Sequence, residues 1–399
     1  MAGNVQLIEK AIALHQKGRL AEAEAIYLRL LRTRPDDVDA LHYLGVLRMN
    51  QKRIEPAIEL VRRSLELAPQ NFHAWNNLGN LLISMNDEDG AEKAYSNAVN
   101  IHPKFAEAWY NLGNLFRRKR RPDDALASYR RVIDSNPQFA LAYENLALLL
   151  YRMGRHDLAG ETYRKWLEVE PENPTARHMV AAHSNTNTPA RATDEYVATM
   201  FDGFAETFDA NLARLNYAAP QILASALAEV VRFSESRLAV LDAGCGTGLC
   251  GPLLRSTAEK LSGVDLSAGM LERAKARKVY DELHEGELVA FMRAHPDSYD
   301  VVISADTLVY FGVLEDAMAA AAAALKPGGV LAFTVEAAPA EATEDFSLQP
   351  HGRYVHRKEY VRSCIERAGL EVMQIEHGVL RKETGVDVNG HVSLARRPA

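Results

Sequence analysis

A proline recurs every 34 residues through the first half of the chain, at Pro35, Pro69, Pro103, Pro137 and Pro171. Columns of matched residues keep the same spacing. One holds Ala23, Ala57, Ala91, Ala125 and Ala159, small side chains where two helices approach closely. Another holds Tyr27, Val61, Tyr95, Tyr129 and Tyr163, bulky enough to fill the space between neighbours. Earlier in each unit stand Leu41, Trp75, Trp109 and Tyr143, then Leu44, Leu78, Leu112 and Leu146, then Gly45, Gly79, Gly113 and Ala147. A single helical hairpin of this length cannot bury its apolar face alone, and stacking against its neighbours buries it. The first half is expected to be an all-α solenoid.

These columns resemble the tetratricopeptide repeat over Asn4 to about Pro171, with five units of which the first lacks the opening aromatic. The resemblance implies a concave groove lined by the first helix of each unit, holding a peptide or protein. On that helix Asn77, Asn111 and Asn145 share one position, which Tyr43 takes in the second unit; Asn80 and Asn114 follow on the same face. An asparagine amide offers one acceptor and two donors, matching the backbone of an extended peptide. The set resembles the asparagine ladder of the protein O-linked N-acetylglucosamine transferases, and the alternative is that these amides bridge neighbouring helices. The basic run Arg117 to Arg121 is a solvated surface or receives an acidic partner segment.

Past Pro171 the pattern stops. Pro174 and Thr175 open one more helix to cover the end of the solenoid, and Ser184 to Pro189 is small, polar and unpatterned, a linker. Short apolar runs then alternate with helical segments, the signature of a parallel sheet wrapped by helices. Strands are expected at 238–243, 260–265, 300–306 and 330–336, near 282–285, and around 370–376 and 392–396. Helices should begin after Gly248 and around Ala268, Gly312 and Arg357. The expected layout is two domains, a solenoid over 1–173 and an α/β Rossmann-like domain over 196–399, joined by a capping helix and linker at 174–195.

The strand Val240–Ala243 runs into Gly244-Cys245-Gly246-Thr247-Gly248, with Asp242 two places before the first glycine. Glycines here let the backbone turn tightly and come close to a ligand. Asp265 ends the next strand, where a carboxylate can accept both hydroxyls of a ribose. Together with Gly286-Glu287-Leu288, Ser304 to Phe311 and Leu325-Lys326-Pro327-Gly328-Gly329-Val330, this resembles the class I S-adenosylmethionine-dependent methyltransferases from about Tyr196 to the C-terminus. The resemblance implies S-adenosyl-L-methionine held by Asp242, Gly244, Cys245, Gly246, Gly248, Asp265 and Leu266. It places Glu287 on the adenine amino group, Leu288 against the ring and Asp306 at the cofactor or the acceptor.

The acceptor should sit beyond the carboxyl ends of the strands. Asp306 and Tyr310 follow the fourth strand there as candidate catalytic residues; Asp306 as a cap and Tyr310 as plain wall are the alternatives. His351-Gly352-Arg353-Tyr354-Val355-His356 is read as a loop contacting substrate, with His356 as a base near neutral pH and Arg353 as a carboxylate clamp. The alternative for His356 is a helix cap. Phe201 to Asp209, Tyr217 and Pro220 resemble the aromatic lid of small-molecule methyltransferases, or form a core stripe.

With 46 basic against 53 acidic residues and a net charge of −7, the chain is a poor general nucleic-acid binder. It has no signal-like or membrane-length apolar run, and its three cysteines have neither disulfide nor zinc spacing. A cytoplasmic protein with no bound metal is expected. Two further readings stand beside an enzyme that recruits a protein: a small-molecule methyltransferase whose repeats form a homo-oligomer, and a scaffold without activity.

Overall fold

The computed structural model describes residues 2–184, 188–230, 238–383 and 385–399, with side chains from Gln6 onward. The expected linker lies partly outside them, at 185–187. The chain divides into two compact units, Met1–Val169 and Glu170–Ala399. The helix Pro174–Ala182 therefore falls in the second unit.

The first unit is five helical hairpins: Ala2–Gln16 with Leu20–Thr33, Val38–Asn50 with Ile54–Leu67, Phe72–Ser84 with Glu88–Ile101, Ala106–Arg118 with Pro122–Ser135, and Ala140–Arg152 with His156–Val169. All five column alanines and all five bulky residues after them are buried. The glycine column has a direct steric cause. A Cβ on Gly79 would lie 2.4 Å from the Tyr95 ring, and one on Gly113 2.6 Å from Tyr129. The aromatic column pins each turn, because Trp75 and Trp109 donate their indole N–H to Pro69 and Pro103, and Tyr143 its hydroxyl to Pro137.

The second unit carries a nine-stranded sheet. Its strands are β1 Leu238–Ala243, β2 Ala258–Asp265, β3 Glu282–Glu285, β4 Tyr299–Ser304, β5 Leu325–Ala337, β6 Phe346–Leu348, β7 Tyr354–His356, β8 Glu371–Glu383 and β9 Val386–Arg396. The order β3-β2-β1-β4-β5 is parallel throughout. Beyond the end of β4, β7 joins β5 at Glu336, while the β8–β9 hairpin covers the opposite edge from Val330 to Glu336. Side chains alternate between two cores, with Leu241, Val302, Leu331 and Phe333 on one face and Val240, Val301, Val330 and Ala332 on the other.

All seven expected strands are present, and three readings change. The helix expected after Gly248 is a single turn, Gly251–Leu254, because β2 begins only four residues later. The expected loop 351–356 contains β7, paired with β6 and β5. The final strands are a long hairpin, in which β8 runs on to Glu383.

Candidate active site

A cavity of about 220 Å³ opens beyond the carboxyl ends of β1, β2 and β4. The glycine turn forms one side of it. Gly244 and Gly246 have φ of +78° and +53°, a region that side chains with a Cβ avoid. A Cβ on Gly244 would sit 2.3 Å from Thr307, whereas one on Gly246 would meet nothing within 4 Å. Open space therefore lies directly over the backbone at Gly246, which lines the cavity.

Two carboxylates flank that space. Asp265 accepts the amides of Gly246 and Ser267 at 2.8 and 2.9 Å, an arrangement that fixes the β2 end to the glycine turn. Asp242 accepts the Tyr280 hydroxyl at 2.6 Å. Burial raises both, Asp242 to about 7. Leu266, Leu288, Val264 and Met270 supply apolar wall between them. Glu287 faces elsewhere: as N-cap of the helix Leu288–Ala294 it accepts the amides of Val289 and Ala290 and pairs with Arg191. Gly248 does not line the cavity, while its neighbours Thr247 and Leu249 do.

The helices Asp194–Phe204 and Phe208–Arg214 form the roof. Phe201 and Phe208 line the cavity, and Phe201 meets Phe208 and Tyr310 edge-on at 5.8 and 5.6 Å. Phe204, expected on the same stripe, is 52% exposed, so the stripe is not a core one. Two carboxylates latch this roof. Asp202 accepts the Ser267 hydroxyl and the Gly269 amide, and Asp209 accepts the Thr247 hydroxyl and pairs with Arg277. The end of the expected linker is held as well, with Ala190 and Ala192 bonded to the backbone of 310–313 and Pro189 accepting the Tyr354 hydroxyl.

At the far end lies a buried ionic cluster that the sequence reading found only in part. Asp306 sits at φ +57°, its amide bonded to Thr334 Oγ1 and its carboxylate to Arg381. Arg381 also binds Glu336 and Glu383, and Arg353 binds the same two glutamates. Glu336 and Arg381 are nearly inaccessible, at 3% and 4%. Burial works against the Glu383 anion, yet the two guanidiniums hold it at about 2. Asp306 goes the other way, raised by burial despite Arg381. His351, close to Glu336, is pushed down to about 4 by burial and Arg353, so it is neutral near pH 7. A register shift in β8 between Val379 and Arg381 turns this stretch at the cavity. One signal in the sequence pointed here: Glu336 is a charge closing the apolar run 330–335, and a charge in such a run needs a buried partner.

Of the expected acceptor residues, Asp306, Tyr310, Tyr217 and Arg353 line the cavity together. His356 does not line it. Fully buried, it bonds to the Gly312 carbonyl, stacks on Tyr360 and is depressed to about 4 by burial. It is also no cap, since the helix Lys358–Arg367 has Arg357 there. Tyr354 is likewise core. In the solenoid unit the three asparagines reach back 35 residues each: Asn77 to His42, Asn111 to Asn76 and Asn145 to Tyr110. Those amides bridge neighbouring units. The basic run is also engaged, Arg118, Lys119 and Arg121 with Glu88, Asp89, Glu92 and Asp124 and Arg117 with Asn145.

Residues 240–329 match the methyltransferase-domain family, and residues 8–72, 76–131 and 110–176 match the tetratricopeptide repeat. A ubiquinone biosynthesis O-methyltransferase of Thiobacillus denitrificans is 30% identical over 185 residues, which cover 40% of this chain and 78% of that protein. The chain belongs to the methyltransferases and carries tetratricopeptide repeats before that domain. A malonyl-[acyl-carrier protein] O-methyltransferase of Enterobacter lignolyticus is 32% identical over 148 residues, which cover 37% of this chain and 57% of that protein. A solved structure of MamA is 26% identical, with a TM-score of 0.38 over 41% of this chain and 95% of that one. The chain spans 57% to 66% of the length of three curated relatives that it matches. Among the described residues no helix is long and apolar enough to cross a membrane.

Proposed function

We propose that the second unit transfers a methyl group from S-adenosylmethionine and that the solenoid recruits a protein or peptide to it. The observation that carries the reading is the open space over Gly246 between two carboxylates, the buried Asp242 and the half-buried Asp265. Asp265 keeps lone pairs for ribose hydroxyls while its backbone bonds fix its position, and Leu266 and Leu288 offer apolar faces to the adenine. The donor supplies a methyl already activated by the sulfonium charge. The protein's part is to hold an acceptor in line and keep water out, which the roof of Phe201 and Phe208 favours. Asp306 and Tyr310 face the acceptor end, with Asp306 positioned to take a proton.

Calorimetry on the full chain tests this. S-adenosylmethionine and its demethylated product should both bind, and Asp265→Ala should weaken binding by about 1–3 kcal/mol, the cost of leaving buried polar groups unpaired. Unaltered affinity in that variant would remove Asp265 from the donor site, and no binding to the parent chain would overturn the reading.

A further inference from the structure

Resting on that reading, we infer that the acceptor is a protic nucleophile, a hydroxyl or an amine, and not a carboxylate. The inference follows from charge at the acceptor end of the cavity. Three carboxylates, Asp306, Glu336 and Glu383, meet two guanidiniums, Arg353 and Arg381, in one bonded cluster. His351 adds no charge near pH 7. The cluster thus carries one negative charge more than positive, in a place where Arg381 is 5% exposed and Glu336 4% by side chain. Arg381 has all three nitrogens committed, and Arg353 two of its three. Both guanidiniums already spend their charge on carboxylates of the cluster, so an entering carboxylate meets arginines that are each paired twice or more. With the donor's sulfonium balancing the cluster, an anionic acceptor would add an uncompensated charge at low dielectric.

A protic acceptor meets the opposite situation. Asp306 is the one carboxylate of the three whose affinity for a proton is raised, while both glutamates are lowered. The hydroxyls of Tyr217 and Tyr310 have no hydrogen-bond partner among the described residues and line the same cavity. They can bond the lone pair of an entering oxygen or nitrogen. In the transfer, the acceptor's O–H or N–H proton passes to the Asp306 carboxylate as the new bond to the methyl carbon forms. The carbon–sulfur bond breaks in the same step, and its electron pair stays on sulfur as a neutral thioether. One positive and one negative charge disappear together, so the buried cluster ends the step neutral. A carboxylate acceptor has no proton to give and leaves the surplus charge in place.

Four small aromatic probes test this on the full chain loaded with the demethylated donor, whose binding is measured first and separately. They are p-cresol and aniline, both neutral near pH 7, against benzoate and phenylacetate. The protic pair should bind about tenfold more tightly than the carboxylates. Glu383→Gln, which keeps a hydrogen-bonding oxygen but removes one negative charge, should bring benzoate up by about tenfold and shift p-cresol far less. With labelled donor, any product should hold its methyl through mild alkali, as ethers and methylamines do. Carboxylates binding as well as the protic probes, or label released by alkali as methanol from an ester, overturns the inference. Failure of the demethylated donor to bind counts against the donor site instead.

Discussion

The two units solve the problem of buried polar groups in opposite ways. In the solenoid the contacts that pin its turns and join its units recur as copies. Indole or phenol donates to a proline carbonyl six residues earlier, and asparagine reaches back 35, unit after unit. In the methyltransferase unit the corresponding contacts occur once and span unequal distances. Arg381 meets Asp306 across 75 residues and Glu336 across 45, and Thr307 meets the Gly244 carbonyl across 63. Copies make an array whose units substitute for one another energetically. Single contacts make a site in which one loss has no replacement.

The sharpest break of that contrast is Arg381→Ala. It leaves Asp306 and Glu336 buried with fewer positive charges, a change expected to cost about 3–5 kcal/mol. Hydrogen exchange followed by segment should show β5, β8 and β9 losing protection while the helices 38–169 keep theirs. Equal loss in both regions would make the two units one cooperative body and end the comparison.

Acidification gives a smaller effect in the same unit. His356 is neutral in the fold, its value depressed from 6.5 to about 4. Below pH 6.5 the unfolded chain takes a proton that the folded chain refuses until about pH 4. The stability that His356 contributes is therefore complete above 6.5 and drains away as pH falls. His356→Asn should flatten the dependence of stability on pH in this window by about 1.4 kcal/mol per pH unit. An unchanged slope would show that His356 titrates normally and is not core.

The smallest effect belongs to the solenoid. The turn between the two helices of each unit passes through a left-handed residue, at Gly18, Lys52, Asn86, Arg120 and Gly154. Only two of the five are glycine. Arg120→Gly should therefore raise the melting temperature, by roughly 1 kcal/mol of relieved strain less the entropy glycine gains when unfolded. A fall would mean that the Arg120 side chain holds something in place.

Much of the cavity wall was readable because its residues sit at the ends of strands. Asp242 to Thr247, Asp265 and Asp306 each stand at the end of an apolar run, and a parallel strand delivers its last residue to one common edge. Arg381 and Glu383 were not readable. Glu376-His377-Gly378 resembles the end of a strand, and only pairing with β9 carries β8 on to Glu383. His356 misled for the same reason: its neighbours in sequence, Arg353 and His351, do reach polar ground, but pairing of β7 with β6 and β5 buries all three residues of that strand, His356 among them.

What the sequence by itself determined is every feature with a fixed short period or a local backbone requirement. The 34-residue columns, the glycine turn and the carboxylates at strand ends need only near neighbours to be correct. What the tertiary structure decided is which buried charges share a partner, and which side chains of the neighbouring unit the solenoid's asparagines bond. Those outcomes depend on the cost of an unpaired polar group at a place set by strand register and helix stacking. Neither is written in the order of residues around Arg381 or Asn111.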